Sequence, residues 1–159
     1  LKIPFVFKMP RLRTAVRDLS EVRSVQRMPL PDGSSAESVA RRYVAWLPLY
    51  LKPFLKVKQA GENSEYCLRI LGLKLLGLER DLNISRPDRQ LFWVREGLLV
   101  ASGNRGRFEF RESYNRAFVI VALHNFRPAL PWFVYRFTQA LVHRLVMNHF
   151  GRSLGGPDV

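Results

Sequence analysis

The sequence is poor in the residues that build covalent or metal-held scaffolds. It has one cysteine, Cys67, so neither a disulfide framework nor a thiolate zinc site can form within the chain, because both need at least two thiols. Such usage fits a reducing compartment. Histidine is scarce as well, with only His124, His143 and His149. A helical metal pair needs a spacing of four to share one face; the spacing of six from His143 to His149 leaves the two imidazoles about 120° apart, and no metal is expected. Acids are outnumbered two to one, 13 against 26 Lys plus Arg. Glu79, Asp81, Glu109 and Glu112 are scattered among arginines, so paired general-acid and general-base carboxylates have no support. There is no nucleophile elbow, Walker loop or dinucleotide glycine pattern, and no cofactor is expected. Gly103-Asn104-Arg105-Gly106 lacks the lysine and helix of a phosphate cradle and reads as a turn.

Uncharged apolar runs of membrane-spanning length are missing too. The longest stretch, Leu130 to Phe150, carries Arg136, Gln139, His143, Arg144 and His149. Charges near a span centre cost about 2.5–3.5 kcal/mol each on insertion scales, which argues against a transmembrane helix. The N-terminal run Ile3-Pro4-Phe5-Val6-Phe7 is too short and too interrupted by proline for a secretory signal. The expectation is a cytoplasmic protein, soluble or peripheral to a membrane. A start at Leu1 rather than methionine fits a trimmed product or one domain of a longer chain.

What is present is apolar and cationic at once: 159 residues, 47% hydrophobic, 12% aromatic, with a formal charge of +13. That length is the size of one domain, and the aromatic content separates it from disordered chains of similar charge. We read residues 1–20 as an arm, 21–151 as a single domain and 152–159 as a tail. Val22–Met28 reads as a strand closed by Pro29-Leu30-Pro31-Asp32-Gly33. Ser34 with Glu37 fits a capping box opening a helix whose apolar face is Val39, Tyr43, Trp46, Leu47 and Tyr50. Pro48 and Pro53 should break it into a longer and a shorter piece.

From Glu65 to Arg127 short apolar runs alternate with turns. Strands are expected at Tyr66–Leu71, Leu73–Ile84, Leu91–Arg95, Leu98–Ala101, Arg107–Glu112 and Arg116–Phe126. Pro131 then suits a first helical position, and an apolar stripe including Phe133, Phe137, Leu141 and Leu145 predicts a helix from Trp132 to Phe150, stopped at Gly151. Strand, broken helix, several antiparallel strands and a long C-terminal helix make an α+β layered domain.

This order resembles the helix-grip domain of the START-like superfamily, also called SRPBCC or birch-pollen-allergen-like. The carrying segments are Ser34–Phe54 as the paired short helices, Gly106–Phe110 and Ala117–Ala122 as the last hairpin, and Phe126-Arg127-Pro128 leading into Trp132–Phe150. The resemblance implies a curved antiparallel sheet wrapped around the C-terminal helix, with a cavity between them for apolar ligands such as lipids, sterols or polyketides. It makes Trp46, Tyr50, Phe92, Phe108, Phe118, Ile120, His124, Trp132, Tyr135 and Gln139 the candidate ligand-binding residues. Core filling is the competing explanation for the aromatics. A cyclase or hydrolase of the same fold would use His124 with Tyr135 or Gln139.

The charge has its own implication. Arginine outnumbers lysine 20 to 6, and its planar fork suits phosphate, yet no basic run exceeds Arg41-Arg42, so nucleic acid is the weaker reading. An anionic membrane surface fits better, through Arg41, Arg42, Leu49, Leu51, Lys52, Phe54 and Lys56, which set bulky apolar groups beside cations.

Overall fold

The computed structural model describes residues 21–52, 55–60, 65–131 and 139–155. The expected N-terminal arm therefore lies outside the described residues. The chain is α+β. Strand β1 (Val22–Pro29) is followed by helix α1 (Ala36–Tyr50), then β2 (Leu55–Ala60), β3 (Glu65–Ile70), β4 (Leu73–Arg80), β5 (Arg89–Arg95), β6 (Arg107–Glu112), β7 (Phe118–Phe126) and helix α2 (Gln139–Ser153). The strands form one curved antiparallel sheet in the order β1-β7-β6-β5-β4-β3-β2. From β2 onward each strand pairs with the next. β1 instead joins β7 at the opposite edge, so α1 has to cross one face of the sheet to reach β2.

Two capping details differ from the expectation. The N-cap is Ser35, whose hydroxyl accepts from Ser38 N at 3.2 Å while Ser38 Oγ accepts from Ser35 N at 2.9 Å. Glu37 is thereby released to accept from Arg41 at 2.6 Å and from Arg80 of β4 at 3.3 Å. The Glu112 carboxylate from the end of β6 accepts the Ala36 amide at 2.9 Å, placing a negative group at the start of α1 and fastening the helix to the sheet. Pro48 does not break α1. It falls in the last turn, where one lost amide and a crowded carbonyl end the helix two residues later rather than split it.

Leu55–Ala60 is a strand, not an extension of the helical region. Leu55 and Val57 alternating with Lys56 and Lys58 is the period-two signal that reveals it. Leu98–Ala101 is not a ladder strand. It runs as an irregular connection, with Leu98 N and Leu99 N donating to Lys74 O and Leu75 O and Ala101 N to Arg127 O. Helix α2 continues through Gly151 to Ser153, and Gly155, at φ +96°, follows its end. Its buried residues are Val146, Met147 and Phe150, whereas Leu141 and Leu145 of the expected stripe are exposed. Leu154 is also buried, past the boundary read at residue 151. Residues 132–138 of the expected helix lie outside the described residues.

The sheet has two unlike faces. One carries Met28, Val119, Val121, Phe110, Phe92 and Leu78 and packs against Val39, Ala40 and Tyr43 of α1 and Met147 and Phe150 of α2. Tyr43 lies at its centre, with ring centroids 5.5 Å from Phe108, 5.7 Å from Phe110 and 5.0 Å from Phe150. These residues alternate with those of the outer face, where Arg107 stands opposite both Trp93 and His124, and Arg111 opposite Ile120. Outer-face arginines are engaged locally: Arg89 with Glu109 at 2.6 Å, Arg95 with Glu79, and Arg27 over the Phe118 ring at 4.7 Å.

Candidate cavity between the sheet and the helices

Tyr43 and its aromatic neighbours fill one part of the inner face, and beyond them the packing opens. A cavity of about 370 Å³ lies among α1, α2, the inner face of the sheet and the connections after β5 and β7. Its lining comes from Tyr43, Leu47 and Leu51 of the α1 region, Leu68 of β3, Leu75, Leu76 and Leu78 of β4, and Val94 and Leu99 from β5 and beyond. Phe108, Leu123, Phe126 and Leu130 belong to β6, β7 and the exit from the sheet; Gln139, Val142, His143 and Val146 belong to α2. Aliphatic side chains dominate because α1 and the sheet both turn their apolar periodicities toward this space.

The inward and outward alternation of β7 shifts beside this space for a local reason. Asn125 adopts φ +51°, a kink that interrupts the β7 alternation and lets both Leu123 and Phe126 point inward. Asn104 then secures the exit, donating from Nδ2 to Val94 O at 2.9 Å and accepting from Arg127 N at 2.8 Å. The connection after β5 is drawn against β4 by Gly97. A Cβ there would lie 2.2 Å from Leu75 O, so the wall formed by Leu99 needs glycine at that position.

Among the described residues, three polar side chains, Tyr43, Gln139 and His143, line this otherwise apolar space. Burial pushes the Tyr43 phenol well above its usual range. Burial also lowers the His143 pKa, which favours the neutral imidazole. Gln139 and His143 are four residues apart on α2, hence on one face. The Gln139 Oε1 atom is buried and has no hydrogen-bond partner among the described residues. A buried amide oxygen without a donor is unfavourable unless something else supplies one. The arrangement can hold an apolar body and offer its polar end an acceptor at Gln139 and neutral groups at Tyr43 and His143.

Of the residues expected to bind ligand, Phe108 and Gln139 line the cavity. Phe92 is buried in the adjoining core, 6.3 Å from the Phe110 ring. Trp46 and Tyr50 stack on each other at 4.5 Å and form the seam between α1 and α2, with Trp46 on Phe150 and Tyr50 on His149. Phe118, Ile120 and His124 belong to the outer face, because strand alternation gives Val119, Val121 and Leu123 to the interior. The proposed catalytic use of His124 fails on that geometry, since the sheet separates it from Gln139. Trp132 and Tyr135 lie outside the described residues.

The expected membrane-facing set is divided. Arg41, Leu49 and Lys52 are exposed, and Arg42 donates to the Ser153 carbonyl near the end of α2. Leu51 lines the cavity instead. Lys56 belongs to β2, and Phe54 lies outside the described residues. Sequence reasoning missed Tyr43 and Leu47 as lining because their spacing marks them equally well as core, and His143 because its spacing to His149 excludes a metal pair and says nothing of a cavity. The i,i+4 pair Gln139 and His143 within an apolar stripe was the available signal.

Among the described residues, no three His, Cys, Asp or Glu side chains group as a metal site, and no helix is long and apolar enough to cross a membrane. No protein-family model matches the chain. The chain is similar to the auxiliary protein GraX of Staphylococcus aureus (strain NCTC 8325 / PS 47), being 22% identical over 154 residues that cover 91% of this chain and 48% of that protein. It thus spans about half the length of the curated relative it matches.

Proposed function

We propose that this protein is a START-like, helix-grip domain that binds an apolar or amphipathic small molecule between its sheet and its C-terminal helix. The observation that carries the reading is the cavity of about 370 Å³, whose lining among the described residues is mainly aliphatic, with polar side chains from Tyr43, Gln139 and His143. The order of elements supports it: a first strand paired with the last, a helix crossing from the first strand to the second at the opposite edge, and a helix after the sheet. Volumes of about 300–1,000 Å³ are usual for small-molecule sites, and this one lies at the lower end, which favours one chain or a small ring system. Burial opposes charge at the polar end, so a hydroxyl or amide donor to Gln139 Oε1 suits it better than a carboxylate.

The experiment is native mass spectrometry of the protein after incubation with a lipid extract, beside the cavity-filling variant Val146→Trp. The wild type should retain a small apolar molecule that the variant does not. A wild type that acquires nothing from the extract overturns the reading.

A further inference from the structure

We propose that the tip of the β3–β4 hairpin, with Leu98 beside it, inserts into the surface of an anionic lipid bilayer. The turn is Leu71-Gly72, and both residues have positive φ, +50° and +85°. That is the two-residue hairpin geometry for which Asn-Gly is the favoured pair, because asparagine tolerates the left-handed region. Leucine there is doubly unfavourable: its backbone is strained, and its side chain is 90% exposed to water. Neither cost benefits the isolated domain, and burial of Leu71 in hydrocarbon removes the second.

The neighbourhood supplies the rest of the surface. Leu73 is 59% exposed and Leu98 57%, and the bond from Leu98 N to Lys74 O at 3.1 Å sets Leu98 beside the hairpin. Cations flank the leucines. Lys74 follows Leu73, and Arg69, opposite Lys74 in the hairpin register, donates to the Gly72 carbonyl at 3.2 Å. Glu96, two residues before Leu98, is the acid nearest to it in sequence. Glu65 and Glu79 pair in register at the other end of the same strands, about 20 Å from Leu71 at the usual rise of a strand. An apolar tip with a basic collar, on a chain of net charge +13, complements anionic headgroups over a hydrocarbon interior. Leu75, two residues beyond Leu73, and Leu99, next to Leu98, line the cavity, so the inserted tip would stand beside the cavity wall.

The test is co-sedimentation of the purified chain with vesicles of phosphatidylcholine alone or mixed with phosphatidylglycerol, together with Leu71→Asn and Lys74→Glu. Binding should require the anionic lipid. Leu71→Asn should weaken it about tenfold, the effect of withdrawing one leucine from hydrocarbon, while leaving thermal stability equal or raised because asparagine relieves the turn. Lys74→Glu should weaken binding and make what remains less sensitive to salt, because one cation fewer meets the headgroups. Equal binding to both vesicle types, or unchanged binding by Leu71→Asn, overturns the proposal. So does self-association abolished by Leu71→Asn without any vesicle binding, which would assign the tip to a second copy of the chain. The vesicle result does not depend on whether the cavity holds a ligand.

Discussion

His143 illustrates how one residue's surroundings set its chemistry. On α2, beside the apolar cavity, it is desolvated, and its folded pKa falls below the ordinary value near 6.5. The unfolded chain therefore binds more protons than the folded one in the window just below pH 6.5, so stability falls as pH is lowered through that window and levels off below the folded pKa. We expect His143→Leu to flatten this part of the curve of stability against pH, measured by urea unfolding between neutral and mildly acidic pH. An unchanged curve would show that His143 is hydrated in the folded protein. None of this is legible in the sequence, where His124 is the more conspicuous histidine because it shares a strand period with Phe118 and Ile120. Alternation identifies the residues that share a face, but which face turns inward depends on the helices that cover it.

At the scale of elements, the sequence is legible wherever its chemistry acts over a few residues. The β1, β3 to β7 and α1 segments follow from apolar period, turn residues and caps. Errors arise where a local rule meets a tertiary contact. Ser34 and Glu37 make a plausible capping box, yet Glu37 is held by Arg80 across the fold and Ser35 takes the cap. Leu98–Ala101 has strand composition, but Gly97 packs against Leu75 O and the segment becomes part of the cavity wall. Gly97→Ala should therefore be costly: its Cβ meets backbone atoms, which cannot rotate away, and a loss of at least about 2 kcal/mol is expected in chemical denaturation. A variant as stable as the wild type would mean that this connection is free to shift.

For the whole molecule, a ligand that fills the cavity should stabilise the folded state by mass action. At a hundredfold excess over its Kd the gain is about 2.7 kcal/mol, equivalent to a rise of roughly 5–10 °C in Tm for a domain of this size, measurable by differential scanning fluorimetry. Val146→Trp should remove the shift. The sequence by itself determined the α+β class, the run of antiparallel strands and the helix that follows the first strand, because those follow from periodicity, turn chemistry and capping within short windows. It also determined the cationic, aromatic character of the chain, which composition alone provides. Tertiary structure decided which aromatics became core and which lining, which face of β7 turned inward, and that a cavity opened at all. Core and lining draw on the same residue types, and only the distance between opposing elements separates a filled interior from an open one. Phe108 and Phe92 show this: partners across a strand pair and equally apolar, both rings touch Phe110, yet Phe108 also borders the cavity whereas Phe92 is closed off against Tyr66.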